Sequence, residues 1–368
     1  MFCLHVIQAE FGDCLLLEYG TAANPHFILI DGGPPSIFAD HLRKVLETVV
    51  VPHGGKLELV ILSHVDNDHI IGLVELFTEL QSQQVNAQPA FISIGGLWHN
   101  SFSKAIDANG IIEPRLQGLL GIAGMQSTMD ATTVAVNGIS EGNKLRQLSL
   151  LLHIPLNANL ADPITVETAN ASVNFDNVRL TVVGPTQANL DALRQEWEDW
   201  LDEHEQDIGT GSMKLMANAD QSVPNLSSIC VVAEADGRRI LLTGDARSDH
   251  VLAGLESKAF LNAAGSVHFD VLKLPHHGSD RNMTKTFFKK VTADQYVISA
   301  NGKYGNPDLA TLIWLVEAAK EQSRTPEIFL TNQTPSTGKL LSEYPPADYG
   351  YSLRFLPSDE SSFEVFRV

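Results

Sequence analysis

The sequence predicts a layered α/β fold, because short apolar strand segments alternate with helical segments in both halves of the chain. The 368 residues, 44% of them hydrophobic, are enough to bury a large core. No repeat of roughly 20 to 50 residues is visible, and no linker separates two halves. We therefore expect a single domain over residues 1–368.

The N-terminal half is predicted to alternate strands with helices. Apolar runs closed by turn residues predict strands, and apolar residues three or four positions apart predict helices. The predicted strands lie in Met1–Leu17, His26–Gly33, Leu57–Leu62 and Phe91–Ile94, and the predicted helices are Ile37–Val50 and Ile70–Leu80.

The second half regains strong patterning after a less regular stretch, Ser101–Ala171, which we interpret as an insertion or elaboration on the active-site side. Asp236-Gly237 between two apolar runs predicts a β-hairpin. The predicted strands are Val178–Val183, Ser228–Ala233, Arg239–Thr243, Val271–Leu274 and Gln295–Ser299, and the predicted helices are Leu190–Gln206, Lys285–Val291 and Asp308–Glu321. Two alternating segments, Tyr351–Phe355 and Ser362–Val368, are expected to pair as a terminal hairpin.

Composition limits the function classes. The net charge of −19, from 44 acidic and 25 basic side chains, weighs against sequence-independent binding of nucleic acid, although metal-holding carboxylates count as negative in this sum. No apolar run is long enough to cross a bilayer and no signal peptide is evident, so we expect a cytoplasmic protein without a membrane partner. Cys3, Cys14 and Cys230 are expected to be buried free thiols.

Four residues of metal-binding types occur within six positions, directly after a predicted strand and before a predicted helix. They are His64, Asp66, Asp68 and His69. Imidazole nitrogens and carboxylate oxygens together suit zinc, manganese or iron, and two neighbouring ions accommodate these ligands better than one ion. Helix capping by either aspartate is the alternative for a single residue, but it does not explain all four together.

The segment from Ser63 to His69 resembles the HxHxDH signature of metallo-β-lactamase-fold hydrolases, with Asp66 at the position of the second histidine. In this form it is similar to the SHxDxDHxGG motif in the hydrolase-like domain of ComEC-type DNA-uptake proteins and their soluble relatives. Further segments resemble that branch in the same order along the chain: Phe11–Cys14, Ile28–Gly33, Leu241–Asp245, Leu272–Ser279 and Ile298–Pro307. The resemblance implies a four-layer αββα sandwich with an insertion at about residues 101–171.

The resemblance also suggests roles for the candidate residues. It implies that Asp245 bridges two divalent ions, zinc or manganese, and that His99 supplies the next histidine ligand. We assign His64, Asp66 and His99 to the first ion, and Asp68 and His69, with His277 as a candidate, to the second ion. A metal-bound hydroxide would be the nucleophile, oriented by Asp68. Candidates for holding the substrate's oxyanion are Lys273, Ser279, Asn282 and Tyr304, although Lys273 could instead point to solvent.

Two features near the end of the motif series bear on the second ion. His276 and His277 are adjacent, so on an extended segment they would point in opposite directions, and one would bind metal or contact substrate. Asn306 stands where related chains often carry a histidine, so either a neutral oxygen or the His276-His277 pair completes the second site, or substrate specificity has changed.

The function implied most directly is a dinuclear phosphodiesterase or nuclease acting on DNA. Basic residues outnumber acidic ones between Val271 and Tyr304, which is compatible with a phosphate-facing rim or with a solvated helix face. The alternatives are a hydrolase of small esters or phosphodiesters, and a binding or regulatory subunit with an incomplete metal site. A protein partner or a homo-oligomer is compatible with any of these functions.

Overall fold

The fold is taken from a computed structural model, which describes residues 1–100, 107, 110–112, 114–115, 131–169, 172–208 and 227–367. The strands are β1 Phe2–Ile7, β2 Leu15–Thr21, β3 Asn24–Ile30, β4 Lys56–Leu57, β5 Leu59–Ile61, β6 Ser93–Ile94, β7 Leu97–Trp98, β8 Val173–Phe175, β9 Val178–Gly184, β10 Cys230–Ala235, β11 Arg238–Leu242, β12 Val267–Lys273, β13 Val291–Ile298, β14 Glu327–Leu330, β15 Ser352–Phe355 and β16 Ser362–Arg367. The helices are α1 (residues 38–50, partly π-helical), α2 Asn67–Val85, α3 Ala131–Leu151, α4 Gln187–Ile208, α5 Ser248–Ser257, α6 Lys285–Lys290, α7 Leu309–Glu321, α8 Pro335–Glu343 and α9 Pro346–Tyr349.

The strands form two large sheets. The first has six strands in the order β16-β1-β2-β3-β5-β7, and the second has eight in the order β15-β14-β13-β12-β11-β10-β9-β8. Strands β3, β5 and β7 are parallel in the first sheet, and β11 to β15 are parallel in the second. Strands β10 and β11 form the antiparallel hairpin that Asp236-Gly237 predicted.

Three apolar clusters show that the sheets and helices are stacked in four layers. The cluster between the sheets joins residues of the first sheet, such as Leu4, to residues of the second, such as Val271. The opposite face of the first sheet packs on α1, α2 and α3, and that of the second packs on α5, α6, α7 and α8. Successive side chains of a strand point to opposite faces, so each sheet contributes to two clusters. The predicted αββα sandwich, the arrangement of the metallo-β-lactamase fold, is confirmed.

Two local predictions are wrong. β15 and β16 do not pair with each other: β15 extends the second sheet beside β14, while β16 pairs with β1 in the first sheet. The alternating pattern identifies a strand, but it carries no information about the strand's partner. In addition, the strand before His99 is β7, which pairs with β5, whereas β6 belongs to a separate two-stranded ribbon with β4.

Part of the predicted insertion lies outside the described residues. Within residues 101–171, the structure describes residues 107, 110–112, 114–115 and 131–169. The last of these ranges contains α3 and joins the first sheet through a bridge between Leu97 and Leu156. The three cysteines are buried free thiols, as predicted. Among the described helices, none combines the length and apolarity needed to cross a membrane.

The functional edge of the sandwich is defined by the carboxyl ends of the parallel strands. Asp31 follows β3, His64 follows β5, Asp245 follows β11 and His277 follows β12. In open α/β sheets, ligands bind outside this edge, because the strands deliver loops from separate parts of the chain to one place. The fold therefore gathers residues that are more than 200 positions apart in the sequence.

Close backbone packing between the end of β3 and the first turns of α2 requires a glycine at position 72. A Cβ built on Gly72 would lie 2.0 Å from the carbonyl oxygen of Gly32. We expect Gly72→Ala to lower the free energy of unfolding by about 3 kcal/mol, because the contact is with backbone and cannot be relieved by a side-chain rotation. Urea unfolding measures the change.

The matched control is Gly338→Ala in α8, where an added Cβ meets none of the described neighbouring residues within 4 Å. Alanine is favoured over glycine in a helix, so this variant should gain about 0.5 to 1 kcal/mol. Equal stability of Gly72→Ala and the unchanged protein would contradict the described packing of α2 on β3.

Candidate metal centre

The carboxylate of Asp245 is the point on which the histidines of the site converge. The Nε2 atom of His69 lies 3.4 Å from its Oδ1, and Nε2 of His277 lies 3.4 Å from its Oδ2. The Nε2 atoms of His64 and His276 each lie 3.8 Å from the same Oδ2. Three histidines therefore approach Oδ2 of Asp245 and one approaches Oδ1, and the bridging role expected for this carboxylate stays a prediction.

Two further carboxylates face histidines of the cluster. Asp66 Oδ2 lies 3.6 Å from Nε2 of His64, and Asp68 Oδ2 lies 3.4 Å from Nε2 of His277. The side chains of Asp66 and Asp68 are 16% and 22% exposed, whereas Asp245 is almost fully buried. The cluster is consequently open to solvent on the side of Asp66 and Asp68.

Hydrogen bonds to Nδ1 aim the opposite nitrogen of each histidine at Asp245. His277 Nδ1 lies 2.9 Å from the carbonyl oxygen of Ser299, which can only accept, so Nδ1 carries the hydrogen. His69 Nδ1 lies 2.9 Å from Asp31 Oδ2, and His276 Nδ1 lies 2.7 Å from Asn282 Oδ1. Such partners fix the tautomer of metal-ligating histidines and raise their basicity.

The carboxylate of Asp31 is held by hydrogen bonds from Ser63, in the loop between β5 and α2. It accepts hydrogen bonds of 2.7 Å from both the backbone nitrogen and the hydroxyl group of Ser63, and the same hydroxyl lies 3.0 Å from His64 Nδ1. Asp31 therefore orients His69 directly and His64 through Ser63.

The buried polar atoms facing Asp245 fit a divalent cation. Nε2 of His64, His69 and His277 and Oδ1 of Asp245 are buried without a hydrogen-bond partner in the described part of the chain. Leaving such lone pairs unsatisfied costs about 1 to 3 kcal/mol each. Nitrogen and oxygen donors of these types suit zinc or manganese, and a cation would satisfy the group together.

The electrostatics of the histidines indicate the same preference for positive charge. Burial alone would lower the pKa of His69 and His277, but Asp245 outweighs it, with Asp31 at His69 and Asp13 at His277, so both pKa values are well above the usual range. Burial alone would raise the pKa of Asp245, yet His277 and His69 hold it well below the usual range. A divalent cation satisfies the same carboxylates and leaves the Nε2 lone pairs available as ligands.

Asp13 and Asp31 were not assigned a role from the sequence. Asp13 is 1% exposed, contacts the ammonium group of Lys273, and places Oδ1 3.4 Å from Nδ1 of His277. Asp13 thus faces the Nδ1 side of the imidazole, while Asp245 faces the Nε2 side, so Asp13 supports the ring from behind. The sequence signal was present, because both aspartates fall in the segments that resemble the ComEC-type branch.

His276 and His277 do not lie on an extended segment, the case in which they would point in opposite directions. Both residues adopt left-handed backbone conformations, with φ of 48° and 55°, within the turn Pro275–Gly278. Both Nε2 atoms therefore approach the same carboxylate oxygen of Asp245 instead of pointing apart. Strain of about 1 to 3 kcal/mol per residue in this conformation is typical of functional sites.

The structure does not bring His99 to the carboxylates of the cluster. Its role as a metal ligand therefore stays a prediction. His99 is 1% exposed, and within the described residues neither of its ring nitrogens has a hydrogen-bond partner or lies within 4.0 Å of a carboxylate oxygen. Its ring lies near Gly142 of α3, and burial lowers its pKa to about 4, so it is neutral at pH 7. Paired hydrogen bonds with Asn157 hold its backbone.

The substrate candidates divide into buried and exposed residues. Lys273 is 1% exposed and paired with Asp13, so it points neither to solvent nor to a substrate. Asn282 is 3% exposed and donates to the carbonyl oxygen of Asp245, so we reassign both residues from holding substrate to positioning the site. Ser279 is buried in the histidine turn, whereas Tyr304 is 61% exposed.

Asn306 is not drawn into the ligand cluster. Its side-chain nitrogen donates to the carbonyl oxygen of His276 at 3.5 Å, which supports the turn that carries the two histidines. How a second ion would be completed stays a prediction, and Nε2 of His277 lies 3.4 Å from the carboxylate of Asp245.

Fewer basic side chains are available for a phosphate-facing rim than the sequence suggested. Lys285 pairs with Glu317 and Glu321 at 2.7 and 2.8 Å, and Lys289 pairs with Glu321 at 2.6 Å. Together with the burial of Lys273, these pairs favour the solvated helix face over a phosphate-facing rim for this part of the chain.

A second group of metal-binding residue types, Cys3, His5 and Glu18, lies on the first sheet. His5 Nε2 is 2.8 Å from Glu18 Oε2, and this hydrogen bond is the largest influence lowering the pKa of Glu18. Because the two polar groups satisfy each other, this group differs from the unsatisfied cluster at Asp245, and we assign it no metal.

Comparison with known proteins gives no family. No protein-family model matches the chain, and no curated protein sequence matches it. Among solved structures, the chain is similar to a diphosphatase from the PhnP family, with 10% identity and a TM-score of 0.42, over 100% of this chain and 98% of that chain. A Cap4 SAVED/CARF-domain receptor from Acinetobacter baumannii with a cyclic trinucleotide matches at 8% identity and a TM-score of 0.13, over 98% and 93% of the chains. At these TM-scores, neither similarity carries information about function.

Proposed function

We propose that the chain is a metal-dependent phosphodiester hydrolase that acts on DNA. The observation that carries the proposal is the convergence of four histidine Nε2 atoms and the carboxylates of Asp66 and Asp68 around Asp245. Among the described residues, the buried Nε2 atoms of His64, His69 and His277 have no hydrogen-bond partner, so the cluster is better suited to holding cations than to stabilising the fold.

The residues would hold two ions in distinct groups. We expect one ion to be held by His64 and Asp66 and the other by His277 and Asp68, because the two residues of each pair face each other at 3.6 and 3.4 Å. His69 and His276 approach the carboxylate of Asp245, which would contact both ions. Divalent ions bound there would supply a nucleophile at neutral pH and neutralise charge that develops on a phosphoryl oxygen. No serine or cysteine nucleophile is then required.

The chain's own groups would orient the reaction. Asp68 is partly exposed at the open side of the cluster, and its Oδ2 lies 3.4 Å from Nε2 of His277. It can accept a hydrogen bond from an attacking water and direct it at the substrate. Asp31, Asn282 and the carbonyl oxygen of Ser299 keep the imidazoles in place while this occurs.

DNA is the favoured substrate because the five ordered segments resemble the ComEC-type branch. The overall charge of −19 opposes binding of a polyanion, so attraction must be local, through the ions and nearby exposed cations. A hydrolase of small esters and a non-catalytic subunit remain the competing functions, and the test below distinguishes them.

The test uses protein loaded with manganese or zinc and offered single-stranded DNA, duplex DNA, bis(4-nitrophenyl) phosphate and 4-nitrophenyl acetate. We expect cleavage of DNA and of the chromogenic phosphodiester, and loss of both activities when a chelator removes the metal. Turnover of the acetate or the chromogenic phosphodiester without DNA cleavage would support the small-substrate alternative. No turnover of any substrate by fully metal-loaded protein would refute a hydrolase.

A further inference from the structure

An aromatic and cationic cluster lies beside the histidine turn and has no part in the metal centre. The rings of Phe11 and Tyr304 meet edge to face, with centroids 5.3 Å apart and planes at 90°. The ammonium nitrogen of Lys303 lies 3.8 Å from the centroid of Phe11 and 5.0 Å from that of Tyr304. We refer to Phe11, Lys303 and Tyr304 as the aromatic platform.

Phe11 and Tyr304 each lie close in the chain to a residue that is hydrogen-bonded to the metal centre or its supports. Phe11 precedes Gly12, whose carbonyl oxygen accepts a hydrogen bond of 2.5 Å from the hydroxyl group of Ser299, the residue whose own carbonyl fixes His277. Tyr304 stands two positions before Asn306, which donates to the carbonyl oxygen of His276. The platform is thus anchored to the same turn that presents the two histidines.

The exposure of the platform distinguishes it from core packing. Tyr304 is 61% exposed, although an aromatic residue that stabilises the fold would bury most of its surface. Within the described chain, no carboxylate oxygen lies within 4.0 Å of Lys303 Nζ, whereas Lys285 and Lys289 are paired with glutamates. The nearby Glu10 carboxylate accepts a hydrogen bond from Asn301.

An exposed aromatic face beside an exposed ammonium group matches the two parts of a nucleotide. Bases stack on aromatic side chains in a way that tolerates any sequence, and the ammonium group can contact a phosphate. Stacking requires a base that is not paired within a duplex, so the platform favours single strands.

We infer that the aromatic platform stacks a nucleobase next to the scissile phosphodiester, with Lys303 on a neighbouring phosphate, and that single-stranded DNA is therefore the preferred substrate. The reaction rests on the proposed function, whereas the dependence of binding affinity on the presence of a base does not.

The test compares a single-stranded oligonucleotide with an abasic strand of the same length and charge. For metal-loaded protein, we expect a KM about 10-fold lower for the strand with bases, within the range measured for loss of one stacked base. Tyr304→Leu should reduce this ratio below about twofold, and Tyr304→Phe, which keeps the ring, should retain it.

Two further variants separate stacking from a structural effect. Tyr349→Leu removes a different tyrosine, on α9, whose ring contacts Lys320 on α7. This variant should leave the KM ratio between the two strands unchanged. Lys303→Gln should reduce the slope of log Kd against log salt concentration by about 0.7, the value for one phosphate contact on a single strand.

The failures of the two proposals are distinguishable. Cleavage of the abasic strand reports phosphodiesterase activity, whereas the ratio between the strands reports stacking. If neither strand is cleaved, the proposal of DNA hydrolysis fails, and the ratio of Kd values, from fluorescence anisotropy on the same strands, still decides the inference. Equal KM or Kd for the two strands, or an equal loss on both strands in Tyr304→Leu, would overturn it.

Discussion

Asp245→Asn is expected to lower turnover by at least about 1000-fold, because a bound metal pair supplies several kcal/mol of transition-state stabilisation. The substitution keeps the shape of the side chain but removes the charge that four histidine Nε2 atoms approach at 3.4 to 3.8 Å. Metal affinity should fall by more than the 10- to 100-fold that is typical when a supporting residue is lost. Hydrolysis of bis(4-nitrophenyl) phosphate and metal titration measure the two effects.

The control for this prediction is Asp270→Asn. It removes the charge of a largely buried carboxylate that pairs with the half-exposed Arg238, away from the cluster. This variant should retain both turnover and metal affinity. Asp245→Asn protein that folds normally, as shown by circular dichroism, and that keeps its bound metal would contradict the bridging role.

Lys273→Met is expected to lower the free energy of unfolding by about 3 to 5 kcal/mol, the cost of removing one partner from a buried ion pair. Lys273 and Asp13 are each 1% exposed, and burial alone would raise the pKa of Asp13 if Lys273 and His277 did not hold it well below the usual range. Methionine approximates the length of the lysine side chain and removes the largest favourable interaction of the Asp13 charge, with Lys273. Urea unfolding of metal-free protein gives the difference.

The double variant Lys273→Met with Asp13→Asn identifies the cause of this loss. Since neutral residues replace both charges, the double variant should be more stable than Lys273→Met alone. A double variant that is less stable than Lys273→Met by the full cost of Asp13→Asn would show that the two residues act independently. Lys273 and Asp13 would then not form an ion pair in the folded protein.

The fold was predictable to the extent that local pattern determines it. Apolar runs in Leu59–Ile61 and Arg238–Leu242, together with the Asp236-Gly237 turn, identified strands because those signals lie within a few residues. The partners of β15 and β16 were not predictable, because pairing across two sheets depends on contacts more than 300 residues apart for β16 and β1. The αββα order of the four layers was expected from the resemblance to metallo-β-lactamase-fold hydrolases and not from local pattern.

The candidate site was predictable where its residues are close in sequence and less so where they are held by other parts of the chain. His64, Asp66, Asp68 and His69 share one strand-to-helix loop, so their proximity follows from local structure. The backbone conformation of His276 and His277 was not evident, because a left-handed pair of non-glycine residues runs against local preference.

The supporting residues were the hardest to identify. Asp13 and Lys273 are 260 positions apart, and neither pattern nor charge indicates that they form a buried pair. The sequence therefore placed Lys273 at the substrate. Its burial in β12, behind the histidines, became apparent only from the packing of the first sheet on the second.

The central claim is that the cluster around Asp245 holds divalent metal. The most direct test is the metal content of purified protein, measured by inductively coupled plasma mass spectrometry after equilibration with zinc or manganese and removal of unbound ions. The account predicts two equivalents per chain in the unchanged protein and a clear loss in Asp245→Asn. A folded protein that binds no metal under metal-replete conditions would contradict it.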